Sequence, residues 1–251
     1  MEGDDVKYLL PLLLVLSACS SEELGVEPDA SSPDAAVFDA SVPDATPPDA
    51  DTRPRCEQKT TGAFIGDSIV VGAFKAYRSF MLHEGDAVIN VSVAGNTVDN
   101  QYSAWLLSPA RGNPDVSWIF VQCGINDVLH GETTAPNIAA RMEDLLDDIS
   151  ANNPEATVFF SIMDPARLRF ETMAQVGPPR YPLWQELNGY YLNMGGLRRV
   201  SDALNNGADY LVTEYDHGDG LHPNDAGYLV TATIIRGWVD AVFQPVPCEE
   251  N

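Results

Sequence analysis

Basic residues are scarce in this 251-residue chain: 14 Lys and Arg stand against 37 Asp and Glu, for a formal net charge of −23. Residues 1–55 hold 12 of the acids and 3 of the bases, which leaves −14 for residues 56–251. Phosphate backbones are bound by clustered Lys and Arg, so no nucleic-acid partner is expected. Anionic polymers and anionic lipid surfaces are disfavoured for the same reason. Cysteines number four, and neither a CxxC nor an HExxH spacing occurs, so a metal site has little support. Long apolar runs are missing too. Leu9–Leu16 is too short to cross a bilayer, and no long apolar lid segment is evident.

What is present falls into three parts: residues 1–18, 19–55 and 56–251. The first ends at Leu16-Ser17-Ala18-Cys19, which resembles the lipobox of bacterial lipoproteins. The resemblance implies cleavage before Cys19 and lipidation of its thiol, an anchor of several acyl chains. The bland alternative is an ordinary secretory signal with a chance cysteine. Ser20, not Asp, follows Cys19, which by the same resemblance points to the outer membrane of the cell envelope. The acidic start Met1-Glu2-Gly3-Asp4-Asp5 is wrong for a signal. Initiation at Val6 would give a normal, Lys7-bearing one; expression surviving a stop codon within the first five positions is the test.

Residues 19–55 repeat Pro-Asp-Ala at 28, 33, 43 and 48, with Phe38-Asp39-Ala40 as a degenerate copy. Such a stretch has too little apolar surface to offset the entropy of ordering, so a disordered linker is expected. Cys56 and Cys248 lie at the two ends of the remaining domain, and an exported address permits disulfides. These two are expected to pair. Cys123 sits in an apolar run and is expected to be a buried thiol.

Within 56–251, strand-like runs alternate with helix-like ones. Strands are predicted at Ala63–Ile65, Ala87–Val93, Ser117–Cys123, Thr157–Ile162 and Asp209–Val212. Helices are predicted over Ser68–Leu82, Thr134–Asn152 and from Asn224 or Asp225 onward. In the middle helix, Ile138, Met142, Leu145, Leu146 and Ile149 form one apolar face. In the last, the apolar face is Ile235, Trp238, Val239, Val242 and Phe243. Five apolar strands separated by helices argue for an α/β fold with a parallel sheet covered on both sides. Sites in such sheets form beyond the carboxyl ends of the strands. The irregular stretch Asp164–Pro182 is a candidate for part of the pocket wall.

Four segments carry chemistry, and each follows a predicted strand. Gly66-Asp67-Ser68 places a serine at a strand-to-helix turn, where a backbone N–H is free to face an oxyanion. Such tripeptides are also common as a turn plus N-cap. In Asp219-Gly220-Leu221-His222, His222 can take the serine proton and Asp219 can fix the imidazole tautomer. His217, beside Asp216, is the lesser candidate for the base, and His83 and His130 read as surface or loop residues. Gly95, which permits close approach, and Asn126 in Gly124-Ile125-Asn126-Asp127 are candidate oxyanion donors. Asp127 is expected to support its loop.

Taken together these segments resemble the SGNH hydrolases, also called the GDSL lipase/esterase family, in the family's order and over essentially all of 56–251. Ile69 stands where the name motif has leucine. The resemblance implies a flavodoxin-like three-layer α/β/α fold and ester hydrolysis through an acyl-serine, without metal or organic cofactor. It implies Ser68 as nucleophile, His222 as base and Asp219 as its orienting acid. The oxyanion donors would be Ser68 N–H, Gly95 N–H and the Asn126 side chain. An exported, lipid-anchored monomer acting on a small-molecule or polysaccharide ester is the expectation, with a lean towards short acyl groups on carbohydrate. A lipid-directed acylhydrolase and an O-acyltransferase would carry the same blocks. A non-catalytic surface-binding module is the alternative of another class.

Overall fold

The computed structural model describes residues 55–56, 60–131, 133–172, 180–243 and 246–247. Cys19, the linker and Cys248 lie outside the described residues. In chain order the strands are β1 (Arg55–Cys56), β2 (Thr61–Gly66), β3 (Ala87–Asn90), β4 (Val116–Gln122), β5 (Thr157–Phe160) and β6 (Val246–Pro247). The helices are α1 (Ser68–Phe80), α2 (Val98–Leu106), α3 (Ile125–His130), α4 (Ala135–Asn152), α5 (Arg167–Thr172), α6 (Arg180–Asn193), α7 (Arg199–Leu204) and α8 (Asp225–Val242).

Strands β3-β2-β4-β5 form a parallel sheet in that order. Alternation along the strands sends side chains to two different cores. Phe64, Trp118, Phe120 and Phe159 meet Val70 and Tyr77 of α1 and Ala232, Ile235 and Val239 of α8. Ala63, Ile65, Ile119 and Val121 meet the buried faces of α2, α4 and α6 on the other side. This is the expected three-layer arrangement, built by the period-2 geometry of strands whose two faces are both buried. Aromatic packing dominates the first core: Phe64 has ring centroids of Tyr77, Trp118 and Phe120 at 5.4, 5.5 and 5.8 Å. Each such pair contributes about 1 kcal/mol beyond its buried area.

The sheet has four strands where five were expected, and Asp209–Val212 is not one of them. Asp209 has φ 63°, a left-handed conformation incompatible with a strand, and Leu211 makes only an antiparallel bridge to Asn205. The edge beyond β5 is instead touched by Leu197, in a single parallel bridge to Ser161. The expected strand Ala87–Val93 ends early as a regular element. Its hydrogen bonding to β2 nevertheless continues, with Val91 N–H donating to Phe64 O and Val93 N–H to Gly66 O.

The chain order switches direction between β2 and β4: β3 lies on one side of β2, then β4 and β5 on the other. A crevice opens at such a switch point beyond the carboxyl ends of the strands. Gly66 lets the two strand ends come together there, since a Cβ on it would lie 2.1 Å from Gln122 O. Outside that sheet, β1 and β6 pair antiparallel with Cys56 opposite Val246, so the two ends of the domain run side by side.

Candidate active site

Ser68 is the first residue of α1, directly after β2. Asp67 caps the helix, its Oδ1 accepting from the Ile69 N–H at 3.0 Å. That bond uses the Ile69 N–H and not the Ser68 N–H, which sits at the positive end of the helix. Ser68 Oγ lies 2.9 Å from His222 Nε2, and His222 Nδ1 lies 2.7 Å from Asp219 Oδ2. The carboxylate beside Nδ1 favours the tautomer with its proton there, leaving Nε2 to accept from the serine hydroxyl.

Asp219 is held by more than the imidazole. Its Oδ1 accepts from the His222 and Leu221 N–H groups at 2.8 and 3.0 Å. Burial works against its charge, but the bonds from the His222 backbone, the imidazole and the Leu221 backbone outweigh it and hold the carboxyl below its ordinary value. A carboxylate that stays ionised is what an orienting acid requires. His217 is not brought to Ser68. It is exposed, its N–H donates to His222 O, and Asp216 spends its Oδ1 on the N–H groups of Gly218 and Gly220.

The two further candidates come from neighbouring strand ends. Gly95 follows β3 in a turn closed by Asn96 N–H to Val93 O, and Val93 is itself bonded to Gly66, two residues before Ser68. Gly95 is exposed, with φ 81°, a backbone state that favours glycine. Asn126, in α3 after β4, donates from Nδ2 to Asn96 O at 3.0 Å. One of its two amide hydrogens is thus used to join its loop to that of Gly95, and the other remains for an incoming oxygen. Asp127 accepts from Val98 N–H at 2.9 Å, tying α3 to the start of α2, the supporting role expected of it.

A buried polar layer beneath the serine turn was not foreseen. Asp67 and Asp164 are 2 % and 1 % exposed. Burial pushes the Asp67 carboxyl up to about 7 against the Ile69 bond, and nearby Asp164 and Asp127 add to the rise. Burial likewise pushes Asp164 up to about 7, opposed by its bond from Gln122 Nε2 at 2.8 Å. Asp164 follows β5 as Ser68 follows β2, and that strand-end position was the available signal. Cys123 is 1 % exposed and free, its thiol pushed well up by burial. Such a thiol is inert.

No group of three or more His, Cys, Asp and Glu able to hold a metal occurs among the described residues. No described helix is long and apolar enough to cross a membrane.

Comparison with known proteins bears on this arrangement in two ways. Among solved structures, the chain is similar to a carbohydrate acetylesterase from Sinorhizobium meliloti, at 18% identity and TM-score 0.59, covering 74% of this chain and 100% of that one. It is similar to a GDSL-like lipase from Bacteroides thetaiotaomicron, at 16% identity and TM-score 0.57, with 73% and 89% covered. A lipase/acylhydrolase from Enterococcus faecalis gives 17% identity and TM-score 0.53, with 75% and 100% covered. At these identities the likeness is one of fold. No curated protein matches the chain in sequence. The sequence profile of the GDSL-like lipase/acylhydrolase family, however, matches residues 64–230, from β2 through the serine turn and the His222 loop into α8, and on that ground the chain belongs to this family of ester hydrolases.

Proposed function

We propose that the domain is an acyl-serine esterase that removes short acyl groups from carbohydrate, held at the cell envelope by a lipid on Cys19. The observation that carries the catalytic part is the unbroken line Ser68 Oγ–His222 Nε2 and Nδ1–Asp219, at 2.9 and 2.7 Å. In this reading Ser68 Oγ attacks the ester carbonyl as His222 takes its proton. The developing oxyanion is met by the Ser68 and Gly95 N–H groups and the Asn126 amide. His222 then returns the proton to the leaving alcohol, giving the acyl-serine. Water attacks that ester, with its proton taken by His222. The acid leaves as the proton passes back to Ser68 Oγ, and the enzyme is regenerated. Asp219, ionised throughout, stabilises the imidazolium.

The carbohydrate part is supported by the Sinorhizobium meliloti protein, a carbohydrate acetylesterase of similar fold, and by the absence of a long apolar lid segment in the sequence. The test is a chain-length series of p-nitrophenyl esters with the domain from Cys56 onward and Ser68→Ala beside it. Turnover confined to the shortest esters, and lost in the variant together with fluorophosphonate labelling, is expected. A preference for long chains would move the substrate to lipids. No turnover combined with no labelling of the folded domain would leave a binding module as the better account.

A further inference from the structure

A groove of about 440 Å³ opens beside Ser68 and runs along α1. Ser68 lines one end and Ser79 and Phe80 the other, with Lys75 between them and Asp225 and Tyr228 of α8 beside them. From Ser68 to Phe80 the helix rises about 18 Å, the length of several sugar residues laid end to end. The two helices touch closely in the groove: a Cβ on Gly72 would lie 2.2 Å from Tyr228 Cζ. The absent side chain there lets the tyrosine ring pack against α1.

Which half of an ester enters this groove follows from the positions of the catalytic groups. The leaving oxygen must come within hydrogen-bond reach of His222 Nε2. Asp225 and Tyr228 stand three and six residues after that histidine, at the start of α8. The candidate oxyanion donors come from the loops after β3 and β4, and neither Gly95 nor Asn126 lines the groove. The carbonyl oxygen is therefore directed away from the groove, and of the ester's two halves the alcohol, whose oxygen takes its proton from the His222 that leads into α8, is the one assigned to it.

The lining selects the kind of alcohol. Phe80 is 71 % exposed, an unusual state for a large apolar ring on this surface, and the partly buried Tyr228 presents a second aromatic body. Between them lie the apolar Val71 and Ala76 together with hydroxyl, ammonium and carboxylate groups. An alkyl chain would leave the hydroxyl, ammonium and carboxylate groups of this mixed lining without partners, whereas a sugar offers an apolar ring face and a hydroxyl edge and is matched by both. Lys75 and Asp225 contribute one charge of each sign, so the groove has no demand for a charged polymer.

We infer that this groove is the subsite for the alcohol half of the substrate, and that it binds several residues of a neutral, O-acylated glycan with Phe80 as the distal platform. The inference rests on the esterase reading above. Its test compares mono-O-acetylated xylose, O-acetylated xylotetraose and p-nitrophenyl acetate as substrates of the wild type and of Phe80→Ala, a change at an exposed position. The wild type is expected to show a KM roughly tenfold lower on the tetramer than on the monomer. Phe80→Ala should lose kcat/KM on the tetramer about tenfold more than on p-nitrophenyl acetate, through KM and not kcat. Equal KM for the two sugars, or an equal loss by the variant on all three esters, would overturn the groove while leaving the esterase standing. If p-nitrophenyl acetate and both sugars are untouched and Ser68 takes no covalent label, it is the esterase reading itself that falls.

Discussion

Asp164 has one carboxyl oxygen, Oδ2, with no hydrogen-bond partner among the described residues, although the residue is 1 % exposed. An ionised carboxylate in that position would be costly, which is why burial pushes it up to about 7. An unfolded aspartate titrates near 3.9, so the folded protein holds this proton more tightly than the unfolded chain does. The consequence for stability has a definite sign. Below about pH 4 the residue carries no penalty; between about pH 4 and 7 the penalty grows; above that it is constant. Asp67, coupled to it and pushed up for the same first reason, adds a second contribution of the same sign. Asp164→Asn removes the ionisable group and relieves Asp67 of a neighbouring charge. Compared with wild type, the variant should gain melting temperature at pH 8 and gain distinctly less at pH 5, where only part of the penalty has developed. Thermal unfolding at the two pH values decides it; an equal change at both would mean that Asp164 acts through its shape and hydrogen bonds, not its charge.

Three elements meet at Asp86, and the prediction there has the opposite electrostatic sign. Its Oδ1 accepts from Thr60 N–H and Oγ at 2.9 and 3.0 Å, at the entrance to β2. Its Oδ2 takes Arg236 Nη1 of α8 at 2.9 Å, and Asp86 itself leads into β3. Burial raises its pKa, but these bonds prevail and hold the carboxyl below its ordinary value, so its contribution is present at neutral pH and lost on acidification through the folded value. The side chains of Arg236 and Asp86 are 14% and 7% exposed. Removing one partner of an enclosed pair costs about 3–5 kcal/mol where the other is left uncompensated; Arg236 keeps Asp240, which puts the expected loss at about 3 kcal/mol, or roughly 10 °C in a domain of this size. Asp86→Ala should show that loss at pH 7, and Asp86→Asn, which keeps an acceptor for Thr60, a smaller one. An alanine variant melting within about 2 °C of wild type would show that Arg236 finds equivalent partners. Neither junction was visible in the sequence, because each joins residues more than a hundred positions apart or packs an acid under a turn. The strands were legible because their apolar runs are bounded by turn residues. Helix α6 was not: its buried positions Trp184, Leu187, Asn188 and Tyr191 include a polar side chain, and Tyr190 on another face is 37 % exposed, which blurs the periodicity. The segments carrying Ser68, Gly95, Asn126 and His222 were legible because each places a turn and a chemically distinctive residue after an apolar run. The fifth strand was misread at Asp209 because a single left-handed residue leaves no trace in a hydropathy pattern.

At the scale of the whole chain, the proposed lipid anchor at Cys19 has to be weighed against the charge of the domain. The −14 carried by residues 56–251 disfavours an anionic lipid surface, so net charge does not draw the folded part to a membrane. Screening limits that repulsion to about 8 Å at physiological ionic strength. A segment the length of residues 19–55 can reach on the order of 100 Å, far beyond the screening length, so a tether of this kind costs the domain little. In the proposed anchoring the attachment is assigned to Cys19, since a lipidated cysteine bearing more than one acyl chain is sufficient where a single chain would be marginal. The expected result is that the full chain, expressed in a Gram-negative host, sediments with the membranes and resists a high-salt wash, as a hydrophobic anchor does and an electrostatic one does not. Cys19→Ala should release the hydrolase activity to the soluble fraction with its kcat/KM on p-nitrophenyl acetate unaltered. Retention of that variant in the membrane pellet would assign the attachment to some other part of the chain, and a wild type found in the soluble fraction would remove the lipid anchor from the proposal.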